Sequence, residues 1–143
     1  MKTFLCLLAL LALIPSKTIA VRPPAISPMA SQLKTLPQTY PAGYHFTKTQ
    51  INALLAGTKN TDILRQLIQC ESQDVNIARP DSNGLISYGL LQFNGTATWA
   101  QFSRLANVTG SPMMPDRAIE VADWMISHGE LGRWTCAHIL HMV

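Results

Sequence analysis

Apolar residues recur at helical spacing in several stretches of this chain and lose that spacing between them. In Thr47 to Ala56, Ile51, Leu54 and Leu55 fall on one face, and Gly57 follows where helices commonly end. Asn60 or Thr61 offers a cap for a second helix, with Ile63, Leu64, Leu67 and Ile68 as its buried stripe. Ala97, Trp99, Ala100, Phe102 and Leu105 repeat the pattern across Thr96 to Leu105. Ile119, Ala122, Trp124, Met125 and Ile126 do so across Asp116 to Ser127. Gly129 and Gly132 then interrupt, and Trp134 to His141 has the length of a last short helix. Between the second and third stripes, Pro80, Asp81, Ser82, Asn83 and Gly84 are turn formers and predict a short hairpin or irregular ribbon. The pattern predicts a mostly α (α+β) domain.

The N-terminus follows different rules. Met1-Lys2-Thr3 precedes an apolar run from Phe4 to Ile14, and Pro15-Ser16-Lys17-Thr18-Ile19-Ala20 closes it. A positive start, an apolar run of about 7–15 residues and a small-residue end are the parts of a secretory signal peptide. Residues 1–20 are therefore expected to be a leader cut after Ala20. Residues 21–45 hold Pro23, Pro24, Pro28, Pro37 and Pro41 among Ser, Thr and Gln, which predicts an extended linker. The folded domain is expected over 46–143. No apolar stretch reaches the roughly 20 residues of a membrane span. The product expected is secreted or periplasmic, monomeric, and not stably inserted in a membrane.

Composition narrows the partners. A chain 48% hydrophobic and 13% charged is not disordered by composition. The net charge of +3 includes Lys2 and Lys17 of the leader, and no cluster of Lys or Arg occurs elsewhere. Nucleic acid is not an expected partner. Once the leader with Cys6 is removed, Cys70 and Cys136 remain, an even count that suggests a disulfide in an exported protein. Two buried free thiols are the alternative. Cys136, His138 and His141 resemble metal-ligand spacing, but a disulfide would leave only two ligands, so neither a metal nor a cofactor is expected. Asn94-Gly95-Thr96 and Asn107-Val108-Thr109 match glycosylation acceptors, relevant only in a eukaryotic secretory host.

Glu71 is the candidate for chemistry. It follows Cys70 and lies four residues after Leu67, on the apolar side near the end of its helix. Desolvation and the negative end of the helix dipole would both raise its pKa, as a general acid requires. A surface Glu at a helix end is the plainer reading. The second element is Ser87-Tyr88-Gly89-Leu90-Leu91-Gln92-Phe93-Asn94. Gly89 permits close backbone approach, and Gln92 carries both donors and an acceptor for a polar ligand. A buried strand ending in a helix cap at Asn94 accounts for the same residues.

Cys70-Glu71-Ser72, a turn-rich gap and Ser87 to Asn94 together resemble the lysozyme-like superfamily of peptidoglycan-cleaving enzymes, in particular soluble lytic transglycosylases and phage relatives. The resemblance covers Thr61 to Thr98, and Trp134-Thr135-Cys136 is similar to a closing element of some small members. It implies a Cys70–Cys136 bridge, a catalytic Glu71, and Ser87, Tyr88, Gln92 and Asn94 as substrate-binding residues. The implied substrate is the peptidoglycan glycan strand, cut at the β-1,4 bond between muramic acid and glucosamine. Animal-type lysozymes carry an Asp immediately before the Tyr-Gly pair, where this chain has Ser87. No Asp or Glu occurs between Asp81 and Asp116. Asp81 would serve as a second carboxylate if the hairpin folds over the cleft, but its place in Asp81-Ser82-Asn83-Gly84 favours a turn role, and Asp74 reads as a helix end. A one-carboxylate, lytic-transglycosylase course is therefore expected, with a hydrolytic muramidase or an inactive glycan-binding module as alternatives. The Asn and Tyr that transglycosylases carry on a later helix are missing, and Trp124 stands near the Tyr position.

Overall fold

The structure is a computed structural model that describes residues 40–143; the expected leader and most of the expected linker lie outside the described residues. Their fold is α+β, with five α-helices and two small antiparallel sheets. Strand β1 (Tyr44–His45) leads into α1 (Lys48–Leu55) and α2 (Thr61–Ser72). Four short strands follow: β2 (Val75–Asn76), β3 (Ala78–Pro80), β4 (Ile86–Tyr88) and β5 (Phe93–Asn94). Helices α3 (Gly95–Leu105) and α4 (Pro115–Ser127), a 3₁₀ turn (Leu131–Arg133) and α5 (Thr135–Ile139) complete the chain. No helix among the described residues is long and apolar enough to cross a membrane.

The packed body begins earlier than the expected boundary between 45 and 46. Tyr40 packs on Tyr44 and Phe46 with ring centroids 4.8 and 4.6 Å away. Tyr44 and His45 pair with Asn76 and Val75, so β1 closes a two-stranded sheet with β2. Aromatic burial outweighs the extended preference of the prolines around it. The last helix also departs from expectation: α5 ends at Ile139, and His141 lies beyond it with a left-handed φ of 54°.

Three of the long helices have an identifiable start. Thr47 and Gln50 form a reciprocal capping box at α1, which buries Ile51, Leu54 and Leu55. Pro115 opens α4, where a missing N–H costs nothing. Helix α2 is anchored from outside, through the two residues before it. The Asn60 side chain makes no cap bond to its own helix; instead the Asp123 carboxylate of α4 accepts the Lys59 and Asn60 backbone N–H groups at 3.1 and 2.9 Å. The Asn60 amide also donates to the same carboxylate at 2.9 Å. This clamp ties α2 to α4 across the fully buried Leu64, Leu67, Ile68, Ile119, Val121 and Met125. Each such large side chain contributes about 1.5–3 kcal/mol on leaving water.

The second sheet has the order β3-β4-β5, with Arg79 opposite Ser87 and Ser87 opposite Asn94. The expected ribbon is thus a regular hairpin, extended by a third short strand that feeds α3.

Asp123→Ala is expected to lower stability by about 1–3 kcal/mol, since it leaves three donors at the start of α2 without their shared acceptor. Asp123→Asn keeps one acceptor oxygen and should cost less. Urea midpoints at unchanged slope give the check.

Candidate active site

Glu71 sits in the last turn of α2. Gln73 and Asp74 then reverse the chain with left-handed φ values of 54° and 65°, as the reading of Asp74 as a helix end requires. The Glu71 side chain is half-buried, and its Oε1 accepts the Cys136 backbone N–H at 3.2 Å. The two cysteines form a disulfide across a sequence separation of 66, with Cα atoms 6.0 Å apart. Trp134 fixes the other side of this segment: it is 5% exposed, and its indole N–H donates to the Leu91 carbonyl at 2.8 Å. The residue before Glu71 and the amide that holds its carboxyl therefore belong to one cross-linked unit.

The carboxyl opens on a cavity of about 610 Å³. Arg79, Ser87 and Asn94 face one another across β3, β4 and β5, so their side chains share the sheet face that lines it. Asp81, two residues after Arg79, lines it too. Asp81 Oδ1 accepts the Ser82 N–H at 2.6 Å and the Ser82 hydroxyl at 3.3 Å. Its Oδ2 accepts the Ser87 hydroxyl at 3.1 Å and the Asn94 amide at 2.7 Å. The backbone of the same residue closes the turn, donating to the Leu85 carbonyl and accepting from the Gly84 N–H. Asp81 is at once the expected turn former and a fixed charge in the cavity.

The two carboxyl groups have opposite environments. Burial pushes the Glu71 pKa above its ordinary value; the Cys136 N–H and the Arg79 charge pull it down, Asp81 adds to the rise, and the net direction is up. Hydrogen bonds from the Ser82 backbone, the Ser87 hydroxyl and the Asn94 amide hold Asp81 below the usual carboxylate range. Glu71 keeps its proton to higher pH, while Asp81 loses its own early.

Of the residues expected to bind substrate, Ser87, Gln92 and Asn94 line the cavity. Ser87 is buried, donating to Asp81 and accepting from Asn94 at 3.2 Å. Asn94 is the residue before α3 but makes no side-chain cap bond to it; its amide serves Asp81 and Ser87. The Gln92 amide is committed to the Ile77 and Gly89 carbonyls at 3.0 and 2.7 Å, so it braces the loop after β4. Tyr88 is not among the lining residues, because alternation along β4 turns it to the face opposite Ser87. The close approach expected at Gly89 is made to protein: at φ +78°, its backbone lies so near the Pro112 carbonyl that a Cβ does not fit.

Trp124 lies away from the cavity and stacks on His128 at 3.9 Å. The Cys136 sulfur is oxidised, and the His138 ring bonds the Gly132 carbonyl at 3.0 Å. Asp81 was weighed as a second carboxylate and set behind a turn role, and the structure gives it both places; Arg79 carried no signal before the β3–β4 register was known. Comparison with family models, with curated proteins and with solved structures returns no match to this chain.

The Glu71 shift has a sign that stability can report. A carboxyl with a raised native pKa favours the fold below its ordinary value of 4.5, and that contribution is lost as pH rises through the native value. Glu71→Gln is therefore expected to have a higher Tm than wild type at pH 7, with the difference closing below pH 4.5. Equal Tm values at neutral pH would contradict the burial argument. Cys136→Ser is expected to cost about 4 kcal/mol by the loop-closure relation. Denaturant unfolding of the oxidised wild type and the variant measures it.

Proposed function

We propose that the protein is a glycosidase that cleaves the β-1,4 bond between muramic acid and glucosamine units in peptidoglycan, on a lysozyme-like fold, with Glu71 as the general acid. The observation that carries this reading is one cavity lined by two carboxyl groups whose surroundings drive their pKa values apart. The helix ending in Glu71, followed by a hairpin that returns Ser87 and Asn94 to the same cavity, supports the resemblance drawn from the sequence. The disulfide and the expected leader support an exported enzyme.

In this reading, protonated Glu71 donates to the glycosidic oxygen as the bond from the muramyl C1 breaks. The departing sugar takes that proton, and positive charge builds on the muramyl C1 and ring oxygen. Asp81, fixed by four hydrogen bonds, offers a preorganised negative charge to that transition state. Glu71, now a carboxylate, takes a proton from the second nucleophile. If water attacks, the product has a reducing end. If the muramyl 6-hydroxyl attacks, a 1,6-anhydro ring closes and no water is consumed.

The transglycosylase course needs Glu71 alone, and its preference at the sequence level rested on Ser87 standing in place of an acid. The Ser87 hydroxyl donates to Asp81, so folding returns a carboxylate to that neighbourhood. This observation favours hydrolysis as the second step.

Purified cell walls supply the test. Wild type is expected to release muropeptides with reducing ends, and Glu71→Gln to lose about 10²–10⁴-fold in rate. Asp81→Asn should lose about 10²-fold. Anhydromuramyl ends, with Asp81→Asn fully active, would give the transglycosylase course instead. No release from wild type would leave only a glycan-binding module. The rate should rise with pH as Asp81 ionises below its ordinary 3.8, and fall as Glu71 loses its proton above 4.5.

A further inference from the structure

The charges lining the cavity are not balanced in the same way. Besides Glu71 and Asp81 they include two arginines, Arg79 and Arg133. Arg133 is satisfied: its Nε donates to Glu130 at 2.8 Å, and its guanidinium lies 5.5 Å from the Phe102 ring centre. Arg79 has no carboxylate within 4.0 Å among the described residues, although its charge reaches Glu71 from farther off. It is exposed, and its one side-chain hydrogen bond among them runs from a terminal nitrogen to the Glu71 backbone carbonyl. That bond caps the end of α2 and leaves the other guanidinium N–H groups of Arg79 free. The bond also pins the guanidinium beside the catalytic acid, on the sheet face it shares with Ser87 and Asn94.

No aromatic platform competes with this charge. Phe93, Phe102 and Trp134 line the cavity but are 2%, 2% and 5% exposed. A sugar in the cavity meets hydrogen-bonding side chains such as Asn83, Thr98 and Gln101, and the Arg79 guanidinium, which no carboxylate of the described residues pairs directly.

We propose that Arg79 is the specificity-determining residue of this cavity and pairs with a carboxylate carried by the glycan beside the bond to be cut. The proposal rests on the functional reading above and deepens it: neutral glucosamine polymers become poor ligands, and acid-bearing muramyl glycans good ones. The planar guanidinium fork matches a carboxylate in two parallel hydrogen bonds, which an ammonium does not reproduce. On a muramyl unit the carboxylate has two sources: the free lactyl group of a strand stripped of its peptide, or an acid of the attached stem peptide.

Binding is the primary readout, in the Glu71→Gln background so that turnover does not intrude. Calorimetry would compare Glu71→Gln with Glu71→Gln/Arg79→Gln on peptide-free glycan strands, on stem-bearing strands, on the latter with stem carboxylates amidated, and on chitin hexamer. Loss of Arg79 is expected to weaken binding of an acid-bearing strand about tenfold and to leave chitin hexamer within about twofold. The Arg79-dependent part should shrink with added salt, and Arg79→Lys should restore only a fraction of it. A loss on peptide-free strands assigns the lactyl carboxylate. A loss on stem-bearing strands that amidation abolishes assigns the stem. Equal losses on charged and neutral glycans, or no loss on any, would overturn the proposal and reduce Arg79 to a helix cap. Failure of the parent Glu71→Gln to bind any of the glycans would overturn it too. Glycan binding that depends on Arg79, beside a wild type that cleaves nothing, would retain this proposal and remove the enzymatic reading.

Discussion

The structure depends on one carboxyl kept partly out of water. Glu71 lies in the last turn of a helix whose preceding turns bury Leu64, Leu67 and Ile68, and its side chain is half-buried. The Cys136 N–H holds that carboxyl in place and favours its charged form, more so than the Arg79 charge does, yet burial outweighs both and the net shift is upward. That amide is held in turn by the bridge from Cys136 to Cys70, and by the Trp134 bond to the Leu91 carbonyl. Position and protonation of one side chain are thus set by contacts far apart in sequence.

The opposite wall follows the contrary logic. Asp81 is exposed and surrounded by donors that favour the charged form. Those donors come from the turn itself, from β4 and from β5, so three segments must be in register before the carboxylate is fixed. Exposure on one side and burial on the other let two similar carboxyl groups titrate apart while sharing a cavity.

Much of this was legible in residue order, and what was not has physical causes. The helices could be read because their apolar spacing and end signals agree: the stripe of Ile51, Leu54 and Leu55 closes at Gly57, and Thr47 and Gln50 do cap one another. The Cys70–Cys136 bridge was legible as one of two readings, from an even count and an expected exported compartment, with two free thiols as the other. The packing of Tyr40 on Tyr44 and Phe46 was hidden because prolines dominate local preference, whereas the aromatic cluster forms only after folding. The Asp123 clamp joins segments that share no pattern. The resemblance grouped Tyr88 with Ser87, yet adjacent residues in a strand point to opposite faces. Arg79 was missed, and Asp81 ranked first as a turn residue, for a related reason: their partners are set by how the strands pair, which no local spacing encodes.

The double duty of Asp81 has a consequence for how this chain can vary. Loops between strands ordinarily absorb insertions and deletions at small cost, because nothing else depends on their length. Here the residue that begins the turn also carries a charge of the cavity, and the Asn83 side chain reaches from the turn to Asn94. Lengthening or shortening the hairpin by one residue would move the carboxylate off its donors even where the strands still paired. Among related chains that keep the cavity, the hairpin should therefore hold its length more strictly than the Gly110 loop before α4 or the Gly57 turn, and divergence should accumulate there first.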